Sequence, residues 1–474
     1  MSDQGFVTKG IGWVRRAGPD EFVLDFNAPP RVSKYLLFVI VSIFVFPHNM
    51  VLKPLGAAGT VPLMLAVILF CLWICSVLFG LHDPLGYRNP GRFSIGVLWV
   101  GTCISYVALY MGLTGGSTVA GRASADRWMI LLMGSSALIL VITEAVKSMN
   151  DAMEVVRIIL LGAFFCSIVA VIQFFLRINP MEWIQAVMPG FTDNGGATPF
   201  QNRGFMVRVA GSTFHSIELA VVSAILLPLS IWRGIFDKTG RKWFHWTGTA
   251  LLIFAVASTV SRSGILALVI AVGIFIPFLP LNARRWALVV APIALCGLFL
   301  AIPGLISTLT SSFTAGDSDP SITTRTDNYP RVARMFVNHP WVGTGPGTYL
   351  PDNALYILDN QYLNVVVSMG AIGLVCIVVY LMFPGLTSVL AARAAKGESL
   401  RSLVGALAGG CVAAGICSLT FDSLAFPTFA MVYPVLVGLG GAGWILVKKE
   451  MSLNASEEIA ATNIKNRSQG KGGS

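Results

Sequence analysis

Residues 324–374 read TRTDNYPRVARMFVNHPWVGTGPGTYLPDNALYILDNQYLNVVVSMGAIGL. This stretch collects Arg, Asp, Asn, Tyr and Gly in a chain that is otherwise rich in Leu, Val, Ile and Ala. Its polar part lies between two apolar runs that are long enough to cross a bilayer. Non-helical backbone and ionisable side chains beside a membrane tend to mark function, so we expect the chemistry of the protein in this loop.

The composition of the whole chain is that of a membrane protein. Hydrophobic residues make up 55% and charged residues only 12% of the 474 positions, whereas a soluble domain carries about 25% charged residues. The net charge of +10 is typical of basic cytoplasmic loops rather than of a nucleic-acid partner. We predict an all-α, polytopic transmembrane helical bundle with no bound nucleic acid.

Windows of about 20 apolar residues predict the membrane spans. Twelve such spans lie near residues 35–52, 58–80, 94–114, 128–146, 154–176, 215–232, 246–260, 264–281, 286–303, 362–383, 401–420 and 427–447. Only Ser261, Arg262 and Ser263 separate the seventh span from the eighth. We read a tight turn there, because a single long span would bury Arg262 in the middle of the membrane.

The distribution of Lys and Arg predicts the orientation. Residues 1–34 are expected to form a cytoplasmic N-terminal segment without a cleavable signal peptide, and residues 35–450 the polytopic domain. Residues 451–474 are expected to form a disordered cytoplasmic tail. On this topology the loops at about 177–214 and 304–361, and the turn at Arg262, all open on the extracytoplasmic face of the inner (plasma) membrane.

The cysteines do not predict a disulfide or a metal site. All eight lie inside predicted spans. Cys71 and Cys75 are four residues apart, but no His or carboxylate stands near them to complete a metal site. We expect small buried apolar side chains, no metal and no cofactor.

Three arginines lie in the predicted extracytoplasmic loops and turn, close to the ends of spans. Arg203 and Arg208 lie at the end of the first long loop, and Arg262 lies between small residues in Ser-Arg-Ser-Gly. Arg262 could extend to the lipid headgroups. The small neighbours would instead allow a ligand to approach, and a guanidinium group is suited to two-point contact with phosphate.

His215 and Glu218 follow Arg208 as the next helix begins. They are three residues apart and would share one helical face. A local role is the alternative, with Ser212 or Thr213 as the N-cap and Glu218 in the first turn. Such a local role does not exclude a role in the site.

The long loop supplies further candidates. Arg325 and Arg331 precede the glycine-rich turn His-Pro-Trp-Val-Gly-Thr-Gly-Pro-Gly, which begins at His339 and is not a phosphate-binding Walker loop. Asp359, Asn360 and Tyr362 stand where the next span begins. Guanidinium groups would hold a pyrophosphate and stabilise it as a leaving group, while a carboxylate or His would deprotonate an acceptor hydroxyl. These residues predict a site for an anionic lipid-linked sugar.

These motifs resemble the O-antigen ligase and O-antigen polymerase family of bacterial envelope proteins. The resemblance rests on RVAGSTFHSIELA at 208–220, TVSRSGILA at 259–267, NHPWVGTGPG at 338–347, DNQYL at 359–363 and MGAIGL at 369–374. Each motif is loose, but their order and their positions at span ends are specific.

The resemblance implies metal-independent glycosyl transfer from an undecaprenyl-diphosphate-linked oligosaccharide outside the cytoplasm. It implies that Arg208 and Arg262 bind the diphosphate and that Arg325 contacts sugar or phosphate. A chain-length regulator and a flippase would be partners. Family ligases carry a His where this chain has Asp359, which favours a polymerase of O-antigen or exopolysaccharide repeat units. His339 is a weaker substitute for that base, since it would also cap a turn.

Two alternatives remain open. A ligase of the same family would move the glycan to a different acceptor. A secondary transporter or a lipid-linked sugar flippase would also have about twelve spans. Such carriers often have two related halves, whereas here the halves differ and the longest loop lies late in the chain.

Overall fold

A computed structural model describes residues 32–81, 83–115, 118–203, 206–301, 320–351, 353 and 356–470. Residues 1–31 of the predicted N-terminal segment and 304–319 of the predicted large loop lie outside the described residues. The fourteen α-helices of the described part are α1 Lys34–Val45, α2 Val61–Leu78, α3 Pro90–Tyr110, α4 Val119–Ala145, α5 Met149–Leu176, α6 Met181–Ala186, α7 Ser216–Phe236, α8 Lys242–Ser258, α9 Arg262–Phe275, α10 Leu281–Ala301, α11 Pro320–Asn338, α12 Gln361–Ala394, α13 Glu398–Cys417 and α14 Pro427–Gly470.

The all-α polytopic fold is confirmed. Eight helices are long and apolar enough to cross a membrane: α2, α3, α4, α5, α7, α12, α13 and the Pro427–Ala455 part of α14. Every one of the twelve predicted spans coincides with a helix. The predicted turn at Arg262 is also present, because α8 ends at Ser258 and α9 begins at Arg262.

Several helix boundaries differ from the predicted ones, and two of the differences have a clear cause in the sequence. The first predicted span runs to residue 52, but α1 ends at Val45, since Pro47 cannot continue the helix. In contrast, α14 continues to Gly470, into the segment that was expected to be disordered. That segment contains Ala and Glu, which favour helix.

Two short antiparallel strand pairs were not predicted. β1 (Met50–Leu52) pairs with β2 (Phe191–Asp193), and β3 (Phe200–Arg203) pairs with β4 (Met206–Val209). Strands of three or four residues are too short to show a clear alternation of polar and apolar side chains. Both pairs nevertheless position polar residues at one end of the bundle.

Small residues bring the central helices together. A side chain on Gly409 would meet the carbonyl oxygen of Ala271 at 2.3 Å, and one on Gly410 would meet that of Ile225 at 2.7 Å. Helix α13 therefore packs directly against the backbones of α9 and α7. Close approach through small residues is the usual way in which membrane helices associate.

Helix α12 is interrupted at Gly370, which has φ 63° and ψ −161°. The glycine-rich turn of the preceding loop fills this break: Gly345 N–H donates to Ser368 O (2.8 Å) and Ala371 N–H donates to Pro340 O (2.8 Å). A side chain on Gly343 would lie 2.3 Å from the Ser368 carbonyl carbon. The loop and the broken span are therefore one packed unit.

Candidate functional site

Several helix ends meet at one end of the bundle. Phe429 N–H at the start of α14 donates to Glu218 Oε1 near the start of α7 (2.9 Å). Gln361 N–H at the start of α12 donates to Ser418 O at the end of α13 (2.9 Å). Cys417 Sγ contacts Ser263 O near the start of α9 (3.5 Å). We call this end of the bundle the site end.

The β3–β4 hairpin places Arg208 on the turn between α8 and α9. Arg208 lies opposite Gln201 in the hairpin. Its Nε donates to the carbonyl oxygen of Thr259, three residues before Arg262, at 2.6 Å. Two of the predicted diphosphate ligands, Arg208 and Arg262, are thus carried by segments that are bonded to each other.

The turn that presents Arg262 has an unusual backbone. Val260 adopts φ 47°, a conformation that is costly for a β-branched residue and that surrounding packing must enforce. Ser261 caps α9 by accepting a bond from Gly264 N–H. A side chain on Gly264 would lie 2.4 Å from Ala220 Cβ, so the start of α9 is pressed against α7. This packing determines where the first helical residue, Arg262, stands.

His215 is the N-cap of α7, whereas the local alternative had given that role to Ser212 or Thr213. Its Nδ1 accepts a bond from Ile217 N–H (3.0 Å), and the side-chain amide of Gln201 lies 2.8 Å from its Nε2. Burial and the nearby Arg208 lower the pKa of His215 to about 4. The imidazole is therefore neutral at physiological pH and holds the hairpin against the helix.

Glu218 is fully buried. Its two oxygens accept bonds from Phe214 N–H (2.8 Å) and Phe429 N–H (2.9 Å). The carboxylate therefore connects the turn before α7 with the first turn of α14. Because Glu218 is buried and bonded to backbone groups, it has a structural role. It would influence a ligand only through His215 and the turn before α7.

The start of α12 carries three of the predicted residues. Asn360 caps the helix by accepting from Tyr362 N–H and Leu363 N–H. The Tyr362 hydroxyl is used inside the protein, where it donates to Gly415 O (2.8 Å). Asp359 is exposed just outside the helix.

A second carboxylate, Asp422, stands close to Asp359. Asn364 Nδ2 of α12 donates to Asp422 Oδ2 at 2.8 Å. Burial, reinforced by the negative charge of Asp359 and opposed by the Asn364 bond and the charge of Arg127, raises the pKa of Asp422 to about 7. The site end thus holds a pair of interacting carboxylates, one of which changes charge near neutral pH.

Arg331 and His339 are positioned by neighbouring aromatic and turn residues. The Arg331 guanidinium lies 3.8 Å from the ring centre of Tyr356 and 6.0 Å from that of Tyr349, distances at which a cation is attracted to an aromatic face. The His339 ring lies against Gly115 in the loop between α3 and α4. Arg203 lies at the end of β3 and Arg325 within α11, and their side chains lie outside the described part of the structure.

Sequence reasoning did not select Arg127, Gln201 or Asp422 for the site. Asp422 had a usable signal, because it is the only charged residue in the short segment between the last two spans. Ionisable residues at such positions tend to be functional. Gln201 offered no comparable signal, since only the hairpin register brings it beside His215.

Comparison with known proteins gives a family match for part of the chain. A family model described as O-antigen ligase matches residues 247–378. A search of curated proteins found no match. The matched segment includes the turn with Arg262, the glycine-rich turn and the start of α12, while Arg208, His215 and Asp422 lie outside it. The match at residues 247–378 confirms the resemblance of the chain to the O-antigen ligase and polymerase family.

Proposed function

We propose that this protein joins undecaprenyl-diphosphate-linked oligosaccharide repeat units into O-antigen or exopolysaccharide on the extracytoplasmic face of the inner membrane, without a metal ion. The bond from Arg208 to the turn that carries Arg262 is the observation on which the proposal depends. It fixes two always-charged groups at the end of the bundle where Asp359 and Asp422 also lie. The family match supports glycosyl transfer in general.

The arginines would hold the donor. Guanidinium groups bind phosphate oxygens through two parallel hydrogen bonds, which fixes the diphosphate in position. During transfer the bond between the anomeric carbon and the diphosphate oxygen breaks, and its electron pair leaves with the undecaprenyl diphosphate. Arg208 and Arg262 would stabilise the charge that develops on that oxygen.

The carboxylates would act on the acceptor. A hydroxyl of the acceptor sugar forms the new bond to the anomeric carbon, and its proton passes to Asp359. The negative charge of Asp359 helps to raise the pKa of the nearby Asp422. Two interacting carboxylates with different affinities for a proton are a common arrangement for general acid–base catalysis.

Replacement of the arginines tests the proposal. Arg262→Ala and Arg208→Ala are each expected to lower the rate of glycan lengthening by about 10²–10³-fold, as the loss of one transition-state contact does elsewhere. Arg262→Lys should restore little, because an ammonium group lacks the planar fork. The assay is incubation of the reconstituted protein with lipid-linked repeat units, followed by separation of the products by length.

Arg177→Ala is the matched control, because Arg177 is an exposed arginine just after the end of α5. It should keep the normal rate and the normal amount of protein in the membrane. Normal lengthening by Arg208→Ala and Arg262→Ala would contradict the proposal.

Ligation is the second candidate within this family. It would use the same donor contacts but transfer the glycan to an acceptor that is not a repeat unit. The replacement of the family histidine by Asp359 favours the polymerase. Transfer to a non-repeat acceptor without any lengthening would establish the ligase instead.

Transport is the candidate of a different class, and the broken helix α12 is the observation that favours it. Discontinuous helices in transporters usually line a substrate cavity. Here the break is filled by the backbone of residues 340–345. This filling favours a structural role for the break, and hence the enzyme.

A further inference from the structure

A cavity of about 180 Å³ lies at the site end and is lined in part by residues 211–214, which directly follow the β-strand of Arg208 and precede His215. Its walls come from the segment after α1, the start of α6, the segment after β2, and the turn 211–214 between Arg208 and His215. The β1–β2 pair holds these walls together, with Asn194 N–H donating to Asn49 O (2.8 Å). At about 30 Å³ for each water, the space corresponds to roughly six waters, or one sugar ring.

One of the residues that line the cavity is a buried imidazole, His48, which is 5% exposed. Its Nε2 lies 2.8 Å from Ile43 O. A carbonyl oxygen can only accept, so Nε2 carries the hydrogen. Burial lowers the pKa of His48 to about 4, so at neutral pH its Nδ1 bears a lone pair. Within the described residues this Nδ1 has no hydrogen-bond partner.

The amide side chains in and beside the cavity walls donate hydrogen bonds to one another. Gln185 donates to Asn49 (3.2 Å), and Asn49 donates to Asp193 (3.1 Å). On the opposite side Gln173 donates to Asn179 (3.1 Å), and Asn179 donates to Glu182 (3.3 Å). Each of these two series of hydrogen bonds ends on a carboxylate at the rim of the cavity, Asp193 in the first and Glu182 in the second.

The cavity therefore keeps amide N–H donors as well as acceptors for a ligand, and the carboxylates supply most of the acceptors. A carboxylate has about four lone-pair sites, and the two series of hydrogen bonds use only some of those on Asp193 and Glu182. The neutral His48 adds one more acceptor. The residues that line the cavity in the described structure include no Lys or Arg. A phosphate or another anion would therefore be repelled, whereas a hydroxyl-rich or cationic ligand would be attracted.

We propose that this cavity is a subsite for one neutral or amino sugar of the lipid-linked glycan, next to the arginines that hold its diphosphate. The proposal rests on the proposed function. The turn 211–214 lines the cavity and lies between Arg208 and His215 in the sequence, so one glycan could extend from the arginines into the cavity. The same acceptors should reject an acidic sugar.

The test measures binding of simple sugars apart from transfer. Methyl glycosides of glucose, galactose, N-acetylglucosamine and glucosamine, together with methyl glucuronide, are titrated into the full-length protein in detergent and observed by saturation-transfer NMR. At least one neutral or amino glycoside should bind, and the glucuronide should not. The double variant Glu182→Gln, Asp193→Asn should weaken binding about tenfold.

Further variants distinguish a loss of sugar binding at the cavity from a general loss of folding. Glu182 and Asp193 are both exposed at the rim, so their replacement leaves the buried walls unchanged. His48→Gln should also weaken binding. Asp126→Asn should not, because Asp126 is an exposed carboxylate elsewhere, bonded to the hydroxyls of Tyr106 and Tyr110.

The outcomes distinguish this subsite from the proposed function. Arg262→Ala should bind the glycosides normally while failing to lengthen glycan. Absence of glycoside binding by a protein that does lengthen glycan would overturn the subsite alone. So would binding that the cavity variants leave unchanged, or equal binding of the glucuronide. Binding that the cavity variants do weaken, in a protein that transfers no glycan, would support the subsite and contradict the enzymatic function.

Discussion

Asp422 shows how a single side chain can set the pH dependence of this site. Its pKa is raised to about 7 by burial and by Asp359, against the opposing effects of Asn364 and Arg127. Below pH 7 Asp422 is mostly protonated, and above pH 7 it is mostly charged. A reaction that needs Asp422 in its charged form will therefore speed up as the pH rises through about 7.

We expect the rate of the wild-type protein to rise with pH around a midpoint near 7, and Asp422→Asn to abolish that rise. The measurement is the initial rate of glycan lengthening between pH 5.5 and 8.5 for both proteins. An unchanged pH profile in Asp422→Asn would remove this residue from the reaction.

Asp359→Asn tests the base itself. Loss of a general base typically costs 10²–10⁴-fold, so the rate should fall by about 10²-fold or more at every pH. His339→Gln serves as the comparison, because His339 is the other candidate base. If His339→Gln shows the larger loss, the base has been assigned to the wrong residue.

The residues of the site were predictable to different degrees. Arg262 could be found because a charged residue between two apolar spans is conspicuous in the sequence. The partner of Glu218 could not be found, since Phe429 is 211 positions away and contributes only its backbone N–H. Side chains that bind distant backbone groups leave no trace in a sequence pattern.

The secondary-structure elements explain why individually loose sequence motifs can still form a defined site. The β3–β4 hairpin is too short to be recognised in the sequence, yet its register determines that Arg208 and Gln201 lie side by side. The glycine-rich turn was recognised only as a turn. Its docking into α12 depends on Gly370, which no local pattern connects with residues 340–345.

Gly370→Ala should therefore destabilise the protein strongly. A methyl group there would lie 2.5 Å from the carbonyl carbon of Trp341, and the residue has a positive φ that favours glycine. Overpacking alone costs about 1–3 kcal/mol. We expect a lower midpoint of thermal unfolding in detergent and reduced activity.

Gly273→Ala is the control for this substitution. Gly273 also lies in an apolar helix, α9, but among the described residues nothing stands within 4 Å of an added methyl group. The midpoint of thermal unfolding of Gly273→Ala should equal that of the wild-type protein. Equal midpoints for Gly370→Ala and Gly273→Ala would show that the docked turn contributes nothing to stability.

For the whole molecule, apolar windows were sufficient to place every predicted span on a helix. Hydrophobicity fixes where helices cross a membrane because the bilayer requires about 20 apolar residues. It does not fix how helices end. Proline after α1 and the good helix formers beyond residue 450 moved two boundaries away from the edges of the apolar windows.

The orientation of the bundle remains a prediction that labelling can test. In a variant without its native cysteines, Val187→Cys at the site end should react with a membrane-impermeant maleimide applied to intact cells. Lys238→Cys, which lies past the other end of α7, should react only after the cells are opened. The reverse pattern would place the site in the cytoplasm.

The union of the glycine-rich turn with the break in α12 has a consequence for motion. The backbone groups of residues 340–345 satisfy those of residues 367–372 inside the bundle, and Ser105 of α3 adds a further bond to Val342 O (2.7 Å). Pulling this segment outward would strand several peptide groups without hydrogen bonds in an apolar layer, which is costly. Any gating by the outer loop must therefore pivot on residues before Pro340, with the turn itself as the fixed anchor.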